Sequence, residues 1–161
     1  MEIKKEMQKH INEQIKEELG SSYIYLSMAA YFDANNLSGF AHWMKKQAQE
    51  EIEHAMKFYT YLNERGGNVK LKAIDTPKQV WESPKEAFED ALGHERFITA
   101  CINKLVDKAN ELDDKATKNF LAWFIEEQVE EEANASEILG KFEMIESKQG
   151  LMMLDSKLAQ R

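Results

Sequence analysis

Apolar residues recur at three- and four-residue intervals along almost the whole chain, and no stretch alternates apolar with polar over the length of a strand. Four long amphipathic helices are predicted. The first spans about Lys4 to Asp33, with Ile11, Ile15, Leu19, Tyr25, Leu26, Ala29 and Phe32 on its apolar face. The run Asn35 to Gly39 breaks it, and Ser38 is read as the N-cap of the next helix. That helix runs from about Gly39 to Arg65 on Phe40, Trp43, Met44, Phe58, Tyr61 and Leu62, and Gly66-Gly67 ends it. The third opens on Ser83-Pro84-Lys85-Glu86, a capping box with proline at the first helical position. It carries Phe88, Leu92, Ile98, Ile102, Leu105 and Val106 to about Asn110. After a turn at Glu111 to Asp114, the fourth carries Phe120, Leu121, Phe124, Ile125, Ile138 and Leu139 to about Phe142. A short amphipathic tail after Gly150 predicts a small fifth helix.

Connection lengths set the topology. Short turns join the first helix to the second and the third to the fourth, so each pair is antiparallel. The middle connection, Gly66 to Ser83, has 18 residues. Extended chain spans up to ~3.3–3.6 Å per residue, and a helix of ~27 residues is roughly 40 Å long. The connection can therefore cross the whole bundle. The expected architecture is all-α: one domain over residues 1–161, an antiparallel four-helix bundle with one long crossover between the second and third helices, plus a short C-terminal helix.

Each apolar stripe is interrupted near its middle. Glu18 stands at +3 from Ile15, and Glu95 at +3 from Leu92. Glu51 and His54 stand at +4 and +7 from Gln47, ahead of Phe58, while Gln128 and Glu131 stand at +4 and +7 from Phe124. A mid-helix position keeps its height whether the helix runs up or down, so the four carboxylates converge in one layer. Unassisted, that is costly: an uncompensated buried ion costs several kcal/mol, and packed acids hold protons to avoid repulsion. Metal cations reverse the sign of the problem. Glu-x-x-His places two ligands on one helix face, and a donor set of carboxylates with one imidazole suits iron better than a thiolate-seeking metal. The pattern predicts a di-metal site, read as di-iron, with Glu51 positioned to bridge.

Composition narrows the partners. The net charge is −8, which excludes a nucleic-acid partner on electrostatic grounds and suits cations. The single Cys101 cannot form an internal disulfide, so a reducing, cytoplasmic compartment is expected. No apolar run approaches the ~18 residues of a membrane span, and the charged start, Met1 to His10, does not read as a signal peptide. Within Glu126 to Glu132, the inward members are expected to be Glu127, Glu130 and Glu131. His10, His42, His94 and Cys101 are read as surface or packing residues, and the eight methionines as core fillers.

The stretches NEQIKEELGSSYIYLSM, GFAHWMKKQAQEEIEHAMKFY, ERGG, the Glu95 region and NFLAWFIEEQVEEE, in that order and spacing, resemble the non-haem ferritins of bacteria and archaea over nearly the full chain. The resemblance implies iron storage with ferroxidase activity, oxidation by O2 or H2O2, and a homo-oligomeric cage of 24 subunits. By position it implies Glu18, Glu51 and His54 at one iron, and Glu51, Glu95 and Glu131 at the second with Gln128 beside it. It also implies Glu50, Glu127 and Glu130 at a third, weaker iron site, with Tyr25 and Trp123 close to the centre. Haem is not expected. The haem-binding branch repeats Glu-x-x-His on its fourth helix, where this chain reads Glu127-Gln128-Val129-Glu130, and Ile52 stands where that branch has its haem-ligating methionine. The alternative is a stand-alone di-iron oxidase or peroxidase of rubrerythrin type, without storage; the chain lacks the C-x-x-C segment of a full rubrerythrin. Gly20 sits mid-helix at a cost of about 1 kcal/mol against alanine, for which close packing is the expected reason.

Overall fold

The computed structural model describes all 161 residues. It contains five helices and no strand: α1 Lys5–Ala34, α2 Ser38–Glu64, α3 Pro84–Glu111, α4 Lys115–Glu143 and α5 Lys148–Leu158. None is long and apolar enough to cross a membrane.

Two apolar cores show how the helices run. One gathers Phe32 near the end of α1, Phe40 and Trp43 near the start of α2, Phe88 near the start of α3 and Phe142 at the end of α4, with Leu154 and Leu158 of α5. The other gathers Met7 and Ile11 of early α1, Phe58 and Leu62 of late α2, Ile102 and Leu105 of late α3, and Leu121 and Phe124 of early α4. So α1 is antiparallel to α2, α3 to α4, and α2 runs parallel to α3. The connection between these last two must climb the length of the bundle, as its 18 residues allow. It is tied down on the way. The buried Asn12 side chain donates to the Asn68 carbonyl at 3.0 Å and accepts from the Lys70 N–H at 2.7 Å, and Trp81 is buried with its indole N–H on Asp90 at 2.8 Å.

Three helices end in the same way. In each, a residue with positive φ (Asn36, Gly66 or Asp113) follows the helix. The next N–H then reaches back to a carbonyl five residues earlier: Leu37 to Phe32 at 3.0 Å, Gly67 to Leu62 at 2.9 Å, and Asp114 to Ala109 at 2.8 Å. This satisfies carbonyls that the helix leaves open. At Gly67 the constraint is space rather than φ: a Cβ there would lie 2.4 Å from Leu62 Cδ1, so that side chain would have to shift.

Several local expectations change. Ser38 is the first residue of α2, and the N-cap position is Leu37, with no side-chain cap. Ser83 does cap α3 by accepting from the Glu86 N–H at 3.1 Å, but the Glu86 carboxylate reaches back one residue further, to the Glu82 N–H at 2.6 Å. α5 begins before Gly150, with Ser147 as its cap. Leu26 and Ile125 are 51% and 40% exposed rather than on the core face. Over helices of about thirty residues a fixed three–four spacing drifts around the axis. Of the eight methionines, only Met7, Met28 and Met44 fill the core, and the other five are exposed. Close packing does not account for Gly20, because a Cβ there would meet only Ile74 Cγ2, at an ordinary 3.8 Å.

Gly39 is a different case. α5 lies against α2, and a Cβ on Gly39 would sit 1.7 Å from the Asp155 carbonyl oxygen. The Asp155 carboxylate also accepts from the Phe40 N–H at 2.9 Å, next to the α2 N-terminus. Gly39→Ala should therefore push α5 off the bundle, at the ~1–3 kcal/mol typical of overpacking. Limited proteolysis would then cut α5 early and the melting temperature would fall; an unchanged cleavage pattern would show that α5 docks by other contacts.

Candidate metal centre

Between the two apolar cores lies a buried polar belt. Gln14, Glu18 and Ser22 come from α1, and Gln47, Glu51 and His54 from α2. Glu95 comes from α3, and Gln128 and Glu131 from α4. All four mid-helix glutamates of the sequence pattern are therefore inside, at one level.

Two sets of ligand atoms come together, each within 4.8 Å: Glu18, Glu51 and His54, and His54, Glu127 and Glu131. Glu51 Oε2 lies 3.3 Å from His54 Nδ1, and Glu127 Oε1 lies 3.8 Å from His54 Nε2. Glu95 stands outside both sets. Its carboxylate accepts from the Tyr25 hydroxyl and, at 3.2 Å, from Gln128 Nε2. Of the third-site residues, Glu50 is half-buried, Glu127 adjoins His54, and Glu130 is exposed rather than inward. Trp123 packs edge-on against the His54 ring, with centroids 5.5 Å apart. His94 is half-buried and bonded to Ser21 Oγ at 2.7 Å, and Cys101 is a half-buried thiol whose pKa burial raises.

Two amides organise the carboxylates. Gln14 Nε2 donates to Glu18 Oε1 at 2.8 Å. Gln47 Nε2 donates both to Glu51 Oε1 at 3.0 Å and to Glu131 Oε2 at 2.9 Å, joining α2 to α4. The sequence reading missed both roles, although the signal is there: Gln-x-x-x-Glu occurs at the same register on α1 and α2, ending on Glu18 and on Glu51, and residues four apart share a helix face.

The charges are poorly compensated. Burial, then the nearby Glu51, raises Glu18 well above the usual carboxylate range. Burial, with Glu51 and Glu131, raises Glu95 to about 8. Burial, opposed by the Gln47 hydrogen bond, leaves Glu131 at about 7. Burial alone would lower His54, but the hydrogen bond and charge of Glu51 raise it to about 9. Burial and the charge of Glu95 push the Tyr25 hydroxyl well above its ordinary value.

The decisive atom is Glu18 Oε2. It is buried and has no hydrogen-bond partner, on a side chain only 1% exposed. Buried carboxylate oxygens are normally satisfied, and an orphan calls for an ion or a function. Oxygen donors with one imidazole are a set that iron accepts. The residues present fit a metal centre.

Carboxylates and a histidine converging from four helices inside a crossover bundle define the class of metal-carboxylate four-helix proteins. Residues 8–145 match the family model described as a ferritin-like domain. The chain is 46% identical over 159 residues, 99% of each protein, to a bacterial non-heme ferritin of Bacteroides fragilis. It is 40% identical to a probable bacterial non-heme ferritin-like protein of Haemophilus influenzae, covering 93% of this chain and 92% of that one. It superposes on the crystal structure of an open pore ferritin from the archaeon Archaeoglobus fulgidus with a TM-score of 0.98, at 48% identity and 99% coverage of both chains. The chain belongs to the ferritin family.

Proposed function

We propose that this protein stores iron and oxidises it on the way in. Ferrous iron is the substrate. Glu18, Glu51 and His54 hold one ion, and Glu51, Glu95 and Glu131 the second, with Gln128 beside it. The two ions give up one electron each to O2 or H2O2. Ferric iron then leaves past Glu50, Glu127 and Glu130, a third and weaker site, into the interior of a homo-oligomeric cage, taken as 24 subunits in the cytoplasm. The buried, unpartnered Glu18 Oε2 carries the reading of the centre, and the family of the chain supports storage.

The protein's own part is to present negative charge without letting it collapse. Gln14 holds one oxygen of Glu18 and leaves the other free. Gln47 holds one oxygen each of Glu51 and Glu131 in a fixed spread. Tyr25 and Gln128 hold Glu95 away from its neighbours until a cation recruits it. Each proton on these acids is one that a metal ion must displace.

Retention is the test. Excess ferrous iron is added in air, the protein is passed through gel filtration, and iron in the protein peak is counted. Iron far beyond three ions per chain in a very large particle is expected. About two per chain in a small oligomer would overturn storage and leave a stand-alone oxidase.

A further inference from the structure

Arg161 follows α5 and lies against the α2 wall of the metal centre. Its Nη2 donates to Gln47 Oε1 at 2.9 Å and to Glu50 Oε2 at 2.6 Å. Its Nη1 reaches the Trp43 carbonyl at 3.4 Å, and the guanidinium carbon lies 4.4 Å from the centroid of the Trp43 ring. Its own carbonyl meets His42 Nε2 at 2.9 Å.

An ordinary surface ion pair carries little positional information, because two long side chains wander in water. This one is fixed from several directions. Gln47 is fully buried, and its other amide atom is committed to Glu51 and Glu131. Trp43 supplies a face on which a guanidinium rests well. Upstream, Asp155 and Gly39 seat α5 on the start of α2. The positive charge is thus delivered to one carboxylate, Glu50.

We propose that Arg161 is a tethered cation that occupies Glu50 and must be displaced before a metal ion takes that carboxylate, so that it sets the affinity of the third site independently of the two-iron centre. The proposal rests on the third-site reading given under Proposed function. A single positive charge already in place competes with the arriving divalent ion. When the pair opens, Nη2 can keep its bond to Gln47. The amide then stays oriented, and Glu51 and Glu131 with it. Third-site occupation is thereby held back until iron is abundant, while the two-iron centre fills first.

The experiment is anaerobic equilibrium dialysis of the assembled protein against ferrous iron. Wild type should bind two ions per chain tightly and a third more weakly. Arg161→Gln, which removes the charge, should tighten only the third ion, by about two- to fivefold, the scale of one partly exposed ion pair. Arg161→Lys, which keeps the charge but loses the planar fork and its rest on Trp43, should fall between wild type and Arg161→Gln. Glu127→Gln locates the third ion by weakening it. If Arg161→Gln leaves the third ion unchanged or weaker, the proposal falls; loss of that ion in Glu127→Gln would then keep the third site standing alone. If Arg161→Gln shifts all three ions together, Arg161 acts only as a brace for Gln47, and the proposal falls. If no weak ion is seen in any variant, both the third site and the proposal are overturned.

Discussion

Glu51→Ala is expected to abolish rapid ferrous oxidation and leave the helical fold in place. Glu51 is the carboxylate on which the belt converges. It takes one Gln47 hydrogen bond, faces His54 at 3.3 Å and shares a ligand cluster with Glu18. Loss of a partner behind a metal ligand commonly costs ~10–100-fold, and loss of the residue proposed to touch both ions should cost more. The fold should survive because the two apolar cores lie above and below the belt and contain no part of Glu51. Removing one of several crowded buried charges also relieves repulsion. Stopped-flow absorbance after mixing with ferrous iron in air, beside circular dichroism, reads both effects. Wild-type oxidation kinetics in this variant would sink the site assignment.

Loading the metal-free protein with Zn2+, which does no redox chemistry, is expected to release more than one proton per chain at pH 7. Glu95 at about 8 and His54 at about 9 hold protons there, and Glu131 at about 7 holds one part of the time. Metal must displace them, so affinity should weaken as pH falls. The same shifts set the stability of the metal-free protein. Every one of these folded-state values lies above its ordinary value of 4.5 for Glu or 6.5 for His. The native state therefore binds more protons than the unfolded chain across that interval, and stability falls as pH rises. For the acids the loss runs from about pH 4.5 through about 8, and for His54 from about 6.5 through about 9. The metal-free melting temperature should drop between pH 6 and 9, and saturating Zn2+ should recover most at the upper end. Calorimetry in two buffers of different protonation enthalpy counts the protons. A count near zero, or a melting temperature flat with pH, would mean that the belt is already ionised and paired.

Much of this was legible in the residues, because the strongest signals are local. Pro84 after Ser83, and Gly66-Gly67 after Leu62, fix helix ends through backbone geometry that needs no partner. The inward positions of Glu18, Glu51, Glu95 and Glu131 follow from spacing against neighbouring apolar residues, since a helix carries its own angular ruler. What escaped depends on partners far away in sequence. The exposure of Leu26 and Ile125 reflects the drift of a three–four spacing over a long helix, which turns the edge of each apolar stripe away from its neighbours. The detour of Glu95 to Tyr25 and Gln128 is a contact among three helices. Arg161 meets Gln47 and Glu50 across more than a hundred residues, and nothing in its own neighbourhood announces it. Gln14 and Gln47 are intermediate: their spacing was readable, but an amide on an apolar face invites no attention until the carboxylate it serves is seen.

The parallel run of α2 and α3 also bears on how the molecule comes together. The short turns make two hairpins, α1 with α2 and α3 with α4, and these pairs share the most extensive packing. Contacts close in sequence form early, because little chain entropy is lost in making them. The first hairpin already holds Glu18, Glu51 and His54, a complete cluster. The second brings Glu95, Gln128 and Glu131. The ligands proposed for one ion therefore lie within a single early folding unit, whereas those proposed for the other are brought together only when the two hairpins dock. An ion captured during synthesis would hold that hairpin in register and neutralise its two carboxylates, removing the repulsion that would otherwise meet the acidic residues of the other half.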